Sequence, residues 1–288
     1  MTDHIKEGLN LKTNIDENSG FCFGVTAAIN KAEELLGIYS PLYILEEIVH
    51  NEVEMNRLKS LGATIISHED LPNITYSHIL FRAHGEPPET YDICRRNNNT
   101  VHDASCPIIL KLQQKMLRSY KRDERIYIYG KRNHPEIIAL QGTIFQTAIV
   151  FEDIDELDIS QMPSEITLYS QTTMSVQKFY RIIKHLRARG ISVYVRDTIC
   201  REVANRKSKM QNFCKSHDTV VFVAGRHSSN GQFLFNACKD VNSRSHFVTH
   251  PDEINRDWFK QEDSVGICGA TSTPDWLLKQ AREKISSL

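Results

Sequence analysis

The chain has 288 residues, 35 Lys and Arg against 36 Asp and Glu, and 40% hydrophobic residues, which is enough apolar matter for two or three packed modules and excludes disorder. A formal net charge of −1 excludes a protein that binds by neutralising many nucleic-acid phosphates, so any bound phosphate must be small and locally held. No apolar run approaches the roughly 20 residues needed to cross a bilayer, and the opening MTDHIKEGLN lacks the apolar core of a secretory signal, so the expected location is cytoplasmic, with no membrane partner.

Short β-rich runs recur along the chain, at 42–45, 63–67, 78–81, 125–130, 148–151, 166–170, 192–195, 219–225, 246–250 and 265–268. Apolar throughout rather than alternating, they predict buried parallel strands. Helical patterns lie between them. NEVEMNRLKSLG ends on Gly62, and PIILKLQQKMLRSYKR opens on Pro107, a position that needs no N–H donor. The alternation predicts an α/β chain, and the charged KRDER at 121–125 a solvated helix end.

Seven cysteines, with no C-x-x-C pair among them, exclude a zinc ribbon and the common ferredoxin runs. They carry a repeat instead. Cys22 in GFCFGV, Cys106 in DASCP and Cys200 in DTICRE each precede a helical segment, and His50, His134 and Ser228 each follow their cysteine by 28 residues. A second polar loop follows in each third, at His84, Thr172 and Ser272, at offsets of 62, 66 and 72. This regularity predicts three similar α/β modules, at 23–106, 107–199 and 200–288, with 1–22 packing against the third. Ligands of open parallel sheets bind at the carboxyl ends of strands, so a pseudo-threefold arrangement would aim the loops at one pocket. Each loop by itself is also what an ordinary helix N-cap looks like.

Three thiolates suit a soft metal and leave a four-iron cluster one ligand short, with one iron open as a Lewis acid. Cys94, Cys214, Cys238 and Cys268 fall outside the register and read as core packing. His50, His84, His134, Thr172, Ser228, Ser229, Asn230 and Ser272 form a donor-rich set suited to a small anion, with helix N-termini adding N–H groups. Glu136 is the one carboxylate within these loops. It reads either as an acid complementing a helix dipole, for roughly 0.3–1 kcal/mol, or as a proton donor whose pKa a dry pocket raises.

In order and spacing, GFCFGV, VHN, RAHG, DASCP, HPE, QTT, ANR, SSN and ATSTPDW resemble the motifs of the 4-hydroxy-3-methylbut-2-enyl diphosphate reductase (IspH or LytB) family, from about residue 15 to the C-terminus. The resemblance implies three α/β modules around a central [4Fe–4S] cluster with three Cys ligands, Cys22, Cys106 and Cys200, and one open iron site. It implies an oxidoreductase of isoprenoid biosynthesis that reductively dehydroxylates (E)-4-hydroxy-3-methylbut-2-enyl diphosphate to isopentenyl and dimethylallyl diphosphate, with a ferredoxin or flavodoxin as electron donor. His50, His84, His134, Ser228, Asn230 and Ser272, with Ser229 beside them, would hold the diphosphate; Glu136, Thr172 and His134 would serve the chemistry, with Gln171 and Thr173 shaping the loop.

The chain departs from the family's pattern at Asn133, at Arg226 and His227, and from Arg201 to Ala204. None of these removes a proposed ligand. Two other classes use similar residues: a non-catalytic iron–sulfur sensor, and a zinc hydrolase with Glu136 as base.

Overall fold

The computed structural model describes residues 8–288, without the side chain of Ser229. In chain order the elements are β1 (Lys12–Ile15), α1 (Phe23–Leu36), β2 (Leu42–Leu45), α2 (Glu52–Ser60), β3 (Ala63–Ile66), β4 (His78–Phe81), α3 (Pro88–Arg96), β5 (Thr100–Asp103) and α4 (Pro107–Lys121). Next come β6 (Ile126–Tyr129), α5 (Pro135–Thr143), β7 (Ile149–Phe151), β8 (Glu165–Ser170), α6 (Val176–Ala188) and β9 (Ser192–Arg196). The last are α7 (Arg201–Ala204), α8 (Arg206–Lys215), β10 (Thr219–Val223), α9 (Ser229–Lys239), β11 (Ser245–Val248), β12 (Ser264–Gly269) and α10 (Asp275–Ser286).

The strands form three four-stranded sheets, ordered β3-β2-β4-β5, β7-β6-β8-β9 and β11-β10-β12-β1, and every pairing is parallel. The order is the same in each: the first strand of a set lies second, the next at one edge, and the last at the other edge. The third sheet borrows its edge from the start of the chain, where Lys12 to Ile15 pair with Ser264 to Ile267. All ten strands expected from apolar runs are present. Those the runs do not reveal, β1 and β5, are sheet edges with sequences KTNI and TVHD. An edge strand has one neighbour and a half-exposed face, so it needs no continuous apolar run.

Buried parallel strands carry apolar side chains on both faces because helices cover both. In the second sheet, Tyr127 and Tyr129 pack with Phe179, Ile182 and Ile183 of α6, while Ile126 and Ile128 pack with Leu112 and Met116 of α4 and Leu140 of α5. Each such fully buried large apolar side chain contributes roughly 1.5–3 kcal/mol. Contacts divide the chain into two compact units. One comprises the chain to Thr26, Val49–Ser60 and Asn205–Leu288; the other comprises Ala27–Ile48 and Leu61–Ala204. The first holds the β11-β10-β12-β1 sheet, the second the other two. Of the expected packing of 1–22 against the third module, residues 1–7 lie outside the described residues. No helix among the described residues is long and apolar enough to cross a membrane.

Candidate active site

The candidate residues lie in the loops at the carboxyl ends of the strands, where a parallel sheet delivers its helix N-termini. Cys22, Cys106 and Cys200 follow β1, β5 and β9, the last strand of each set, and immediately precede α1, α4 and α7. All three are half-buried, whereas Cys94, Cys214, Cys238 and Cys268 are buried. Sequence reasoning overlooked the device that turns the chain into each cysteine. Asp16, Asp103 and Asp197 accept the backbone N–H two residues on, from Asn18 (3.2 Å), Ser105 (2.8 Å) and Ile199 (3.3 Å). Such side-chain turns form where Asp ends a strand. The available signal was the Asp three residues before Cys in DASC and DTIC.

In the first unit, a second overlooked residue is Arg206, which is buried and donates to the Gly20 carbonyl at 2.6 Å, holding the loop before Cys22. Ser19 accepts the Gly269 N–H at 2.9 Å, tying the same loop to the end of β12. The anion-binding candidates of this unit converge. Ser228 caps α9 by accepting the Gly231 N–H at 3.1 Å, and its Oγ lies 3.2 Å from Ser272 Oγ. Asn230 Nδ2 donates to Thr271 Oγ1 at 2.9 Å. The His50 backbone is pressed against the same loop, since a Cβ at Gly225 would come within 2.5 Å of the His50 carbonyl oxygen. Asn51 caps α2 by accepting the Glu54 N–H at 3.1 Å, and its buried Nδ2 has no hydrogen-bond partner among the described residues, a donor set beside His50. The side chain of Ser229 lies outside the described residues.

In the second unit, the rings of His84 and His134 meet edge to face with centroids 5.6 Å apart. His134 caps α5 by accepting the Glu136 N–H on Nδ1 at 3.2 Å, so a neutral ring carries its proton on Nε2 and can donate there. Pro135 occupies the first helical position and places Glu136 in the first turn. Glu136 is 1% exposed and accepts from Thr172 twice, from Oγ1 at 2.6 Å and from the backbone N–H at 2.8 Å. Burial pushes its carboxyl up to about 7, against the two Thr172 hydrogen bonds that favour the anion. The Thr172 carbonyl in turn accepts the Cys200 N–H at 2.8 Å. Gln171 braces this loop, accepting the Lys131 N–H at 2.9 Å and donating to Thr173 Oγ1 at 2.8 Å. The backbone also links Cys106 to the histidine loop, through its N–H to the Ala83 carbonyl at 2.9 Å.

The departures from the family's pattern lie at or near the surface, apart from Ala204, which packs against the core of the second unit. Asn133 is exposed, Arg226 pairs with Glu253 at 3.1 Å, His227 lies 3.7 Å from Glu52, and Arg201 pairs with Asp197. They leave the Glu136–Thr172 and Ser228–Ser272 contacts in place.

Among the described residues, one group of three potential metal ligands is close-set: Cys214, Cys238 and Cys268, with Sγ atoms within 4.8 Å of one another. That spacing suits soft-metal ligation, but these are the cysteines expected in the core. Bonds of about 2.3 Å to a single central atom hold its thiolates about 4 Å apart, whereas a four-iron cube spreads its thiolates over a larger tetrahedron. The buried triad therefore fits one atom rather than a cube. Cys22, Cys106 and Cys200 are half-buried, and each follows a turn held by an aspartate.

The family model described as LytB protein matches residues 14–286. The chain is 44% identical over 284 residues to a 4-hydroxy-3-methylbut-2-enyl diphosphate reductase of Bacteroides fragilis, covering 96% of this chain and 98% of that protein. It is 44% identical over 279 residues to the protein of the same name from Phocaeicola vulgatus, covering 94% and 97%. A solved structure of (E)-4-hydroxy-3-methyl-but-2-enyl diphosphate reductase, the terminal enzyme of the non-mevalonate pathway, superposes with a TM-score of 0.78 at 28% identity, covering 96% of this chain and 99% of that one. The reductase from Plasmodium falciparum shares the fold, with a TM-score of 0.80 at 24% identity over 96% and 87% of the two chains.

Proposed function

The chain belongs to the LytB protein family, and from that premise we propose that it is an oxidoreductase converting (E)-4-hydroxy-3-methylbut-2-enyl diphosphate to isopentenyl and dimethylallyl diphosphate, in the cytoplasm. The observation that carries the reading is the buried Glu136 carboxyl, poised near neutrality and bonded to Thr172, whose carbonyl holds the Cys200 amide. A sensor needs no such acid. A zinc hydrolase needs its base beside a metal with closely spaced ligands, and Glu136 has no such group near it in its own unit. The modules of this reading run 23–106, 107–199 and 200–288, each holding the strands of one sheet apart from the β1 edge.

Cys22, Cys106 and Cys200 would hold a [4Fe–4S] cluster with one iron left open, and such a cluster supplies two electrons in succession and a Lewis acid for the departing hydroxyl. The protein's own residues do the rest. Ser228, Asn230 and Ser272, with His50, His84 and His134, hold the diphosphate by hydrogen bonds, to which the N–H groups opening α9 add. Fixing the unreactive end positions the allylic alcohol and removes its freedom to turn away. Glu136, about half protonated at neutral pH, delivers a proton through the Thr172 hydroxyl so that the leaving oxygen departs as water, and a second proton, taken at either end of the two-electron-reduced allyl group, gives the two isomeric products. The test is anaerobic: substrate-dependent oxidation of a reduced dye with formation of both isomeric products supports the reading, and pyrophosphate release without dye oxidation contradicts it.

Ser228→Ala removes both an N-cap and a diphosphate donor, and Ser272→Ala removes the donor alone. Both variants are expected to weaken pyrophosphate inhibition and raise KM roughly tenfold, for one to two lost hydrogen bonds to a charged group, with cluster absorbance retained. Unchanged pyrophosphate inhibition in Ser272→Ala would remove these loops from the binding site.

For the electron donor, the second unit offers a basic groove. Lys115, Arg118, Arg122 and Arg196 line a cavity of about 360 Å³ whose wall includes Thr198, two residues before Cys200. Its lining, four basic side chains against the single carboxylate of Asp197, suits an acidic carrier such as a ferredoxin or flavodoxin. Arg118→Glu is expected to slow reduction by such a carrier at low salt roughly tenfold or more, as charge steering requires, while turnover with a neutral or cationic dye stays unchanged. Equal rates with the carrier in both proteins would place docking elsewhere.

A further inference from the structure

Cys214 on α8, Cys238 on α9 and Cys268 on β12 have no part in the proposed reaction, yet all three are fully buried and bring their Sγ atoms within 4.8 Å of one another. We propose that this triad is a binding site for a trivalent thiophilic metalloid, taken up as arsenite. The proposal does not depend on how Cys22, Cys106 and Cys200 are used.

Geometry sets the number of atoms bound. One centre bonded to three sulfurs at about 2.3 Å keeps them about 3.5–4 Å apart, which small side-chain movements reach from the spacing observed. The surroundings set the chemical class. Met210, Phe222, Ala224, Leu234 and Ala270 pack around the thiols in one apolar cluster. Calcium and magnesium need oxygen ligands, which this cluster does not offer. Zinc on three thiolates would bury a net negative charge and leave its fourth position empty, and an uncompensated charge in an apolar core is costly.

Arsenite avoids both difficulties. In the exchange As(OH)3 + 3 RSH → As(SR)3 + 3 H2O, three As–O bonds break and three As–S bonds form. Each thiol proton leaves with a hydroxide as water, arsenic stays trivalent, and the product is neutral. No oxidant or reductant is needed. Hydrogen bonds from Cys238 and Cys268 lower the pKa of Cys214, whereas those of Cys238 and Cys268 are raised, so Cys214 makes the first bond to arsenic and the other two close the site around it. The resulting bridge would join α8, α9 and β12.

The test uses anaerobically purified protein with its bound metal in place, incubated with arsenite a few degrees below the unfolding midpoint so that local opening admits the ligand. Native mass spectrometry should show one added arsenic less three hydrogens per chain, with sulfur-to-arsenic absorption in the near ultraviolet, iron content unchanged and a raised unfolding midpoint. Removing one of three preorganised thiols forfeits an effective-concentration advantage of about 10²–10⁴, so Cys214→Ala, Cys238→Ala and Cys268→Ala should each weaken binding at least a hundredfold. Cys238→Val keeps the volume should Ala fail to fold. Cys94→Ala, at another buried thiol, should bind as the parent does. Absence of the adduct on the folded parent, its persistence in the Cys238 variants, or iron loss matching arsenic gain would each overturn the site.

Discussion

Glu136→Gln is expected to lower kcat roughly 10²-fold or more, with cluster absorbance and substrate affinity nearly unchanged. Gln keeps the shape and can still accept from Thr172, but it has no proton to give. If Glu136 only complemented the dipole of α5, the same change would cost under about 1 kcal/mol of stability and leave turnover intact. The buried carboxyl titrates near 7, because burial outweighs the two Thr172 hydrogen bonds. Activity that needs its proton is therefore present below about pH 7 and fades as pH rises through that value, and Glu136→Gln should lack this limb.

Stability carries the same signature. Between the ordinary value of 4.5 and about 7, the folded protein holds a proton that the unfolded chain has released. Rising pH across that window therefore lowers stability, and the variant should flatten the slope. Single-turnover reduction by prereduced protein removes electron delivery from the comparison. Wild-type rates there in Glu136→Gln would move the proton donor to Thr172, a histidine or water.

Cys22→Ser, Cys106→Ser and Cys200→Ser are each expected to lose stable iron binding, because hydroxyl oxygen is a poor substitute for thiolate at iron. Cys94→Ala, Cys214→Ala, Cys238→Ala and Cys268→Ala should keep iron near the parent level while losing some stability to the small cavity each leaves. The contrast is sharpest between Cys106, half-exposed at a strand-end turn, and Cys238, sealed among apolar side chains. Equal iron loss in those two variants would overturn the assignment of ligands.

The sheets were legible because strands covered on both faces are written as unbroken apolar runs, such as RIYIYG and TVVFVAG. KTNI and TVHD were not: an edge strand can be held by backbone pairing to one neighbour without an apolar run, and these two, unlike the edges β3, β7, β9 and β11, carry none. The 28-residue register was legible for a structural reason: in each set it counts from a cysteine before a helix to the loop after the next first strand, where His134 and Ser228 cap α5 and α9 and His50 stands one residue before Asn51, the cap of α2. The Glu136–Thr172 pair was legible as two motifs, HPE and QTT, but their contact comes from the adjacency of β6 and β8.

Other features had no local signature. Arg206 reaches back across 186 positions to the Gly20 carbonyl, a pairing that only the fold creates. The triad of Cys214, Cys238 and Cys268 likewise sits on two helices and a strand, and each member reads alone as an ordinary buried thiol.

Anaerobic purification followed by iron and acid-labile sulfide analysis bears most directly on the proposed chemistry. About four iron and four sulfide per chain are expected, as three thiolates on a four-iron cluster require. Stoichiometric zinc without sulfide, or a protein that holds neither, would contradict it.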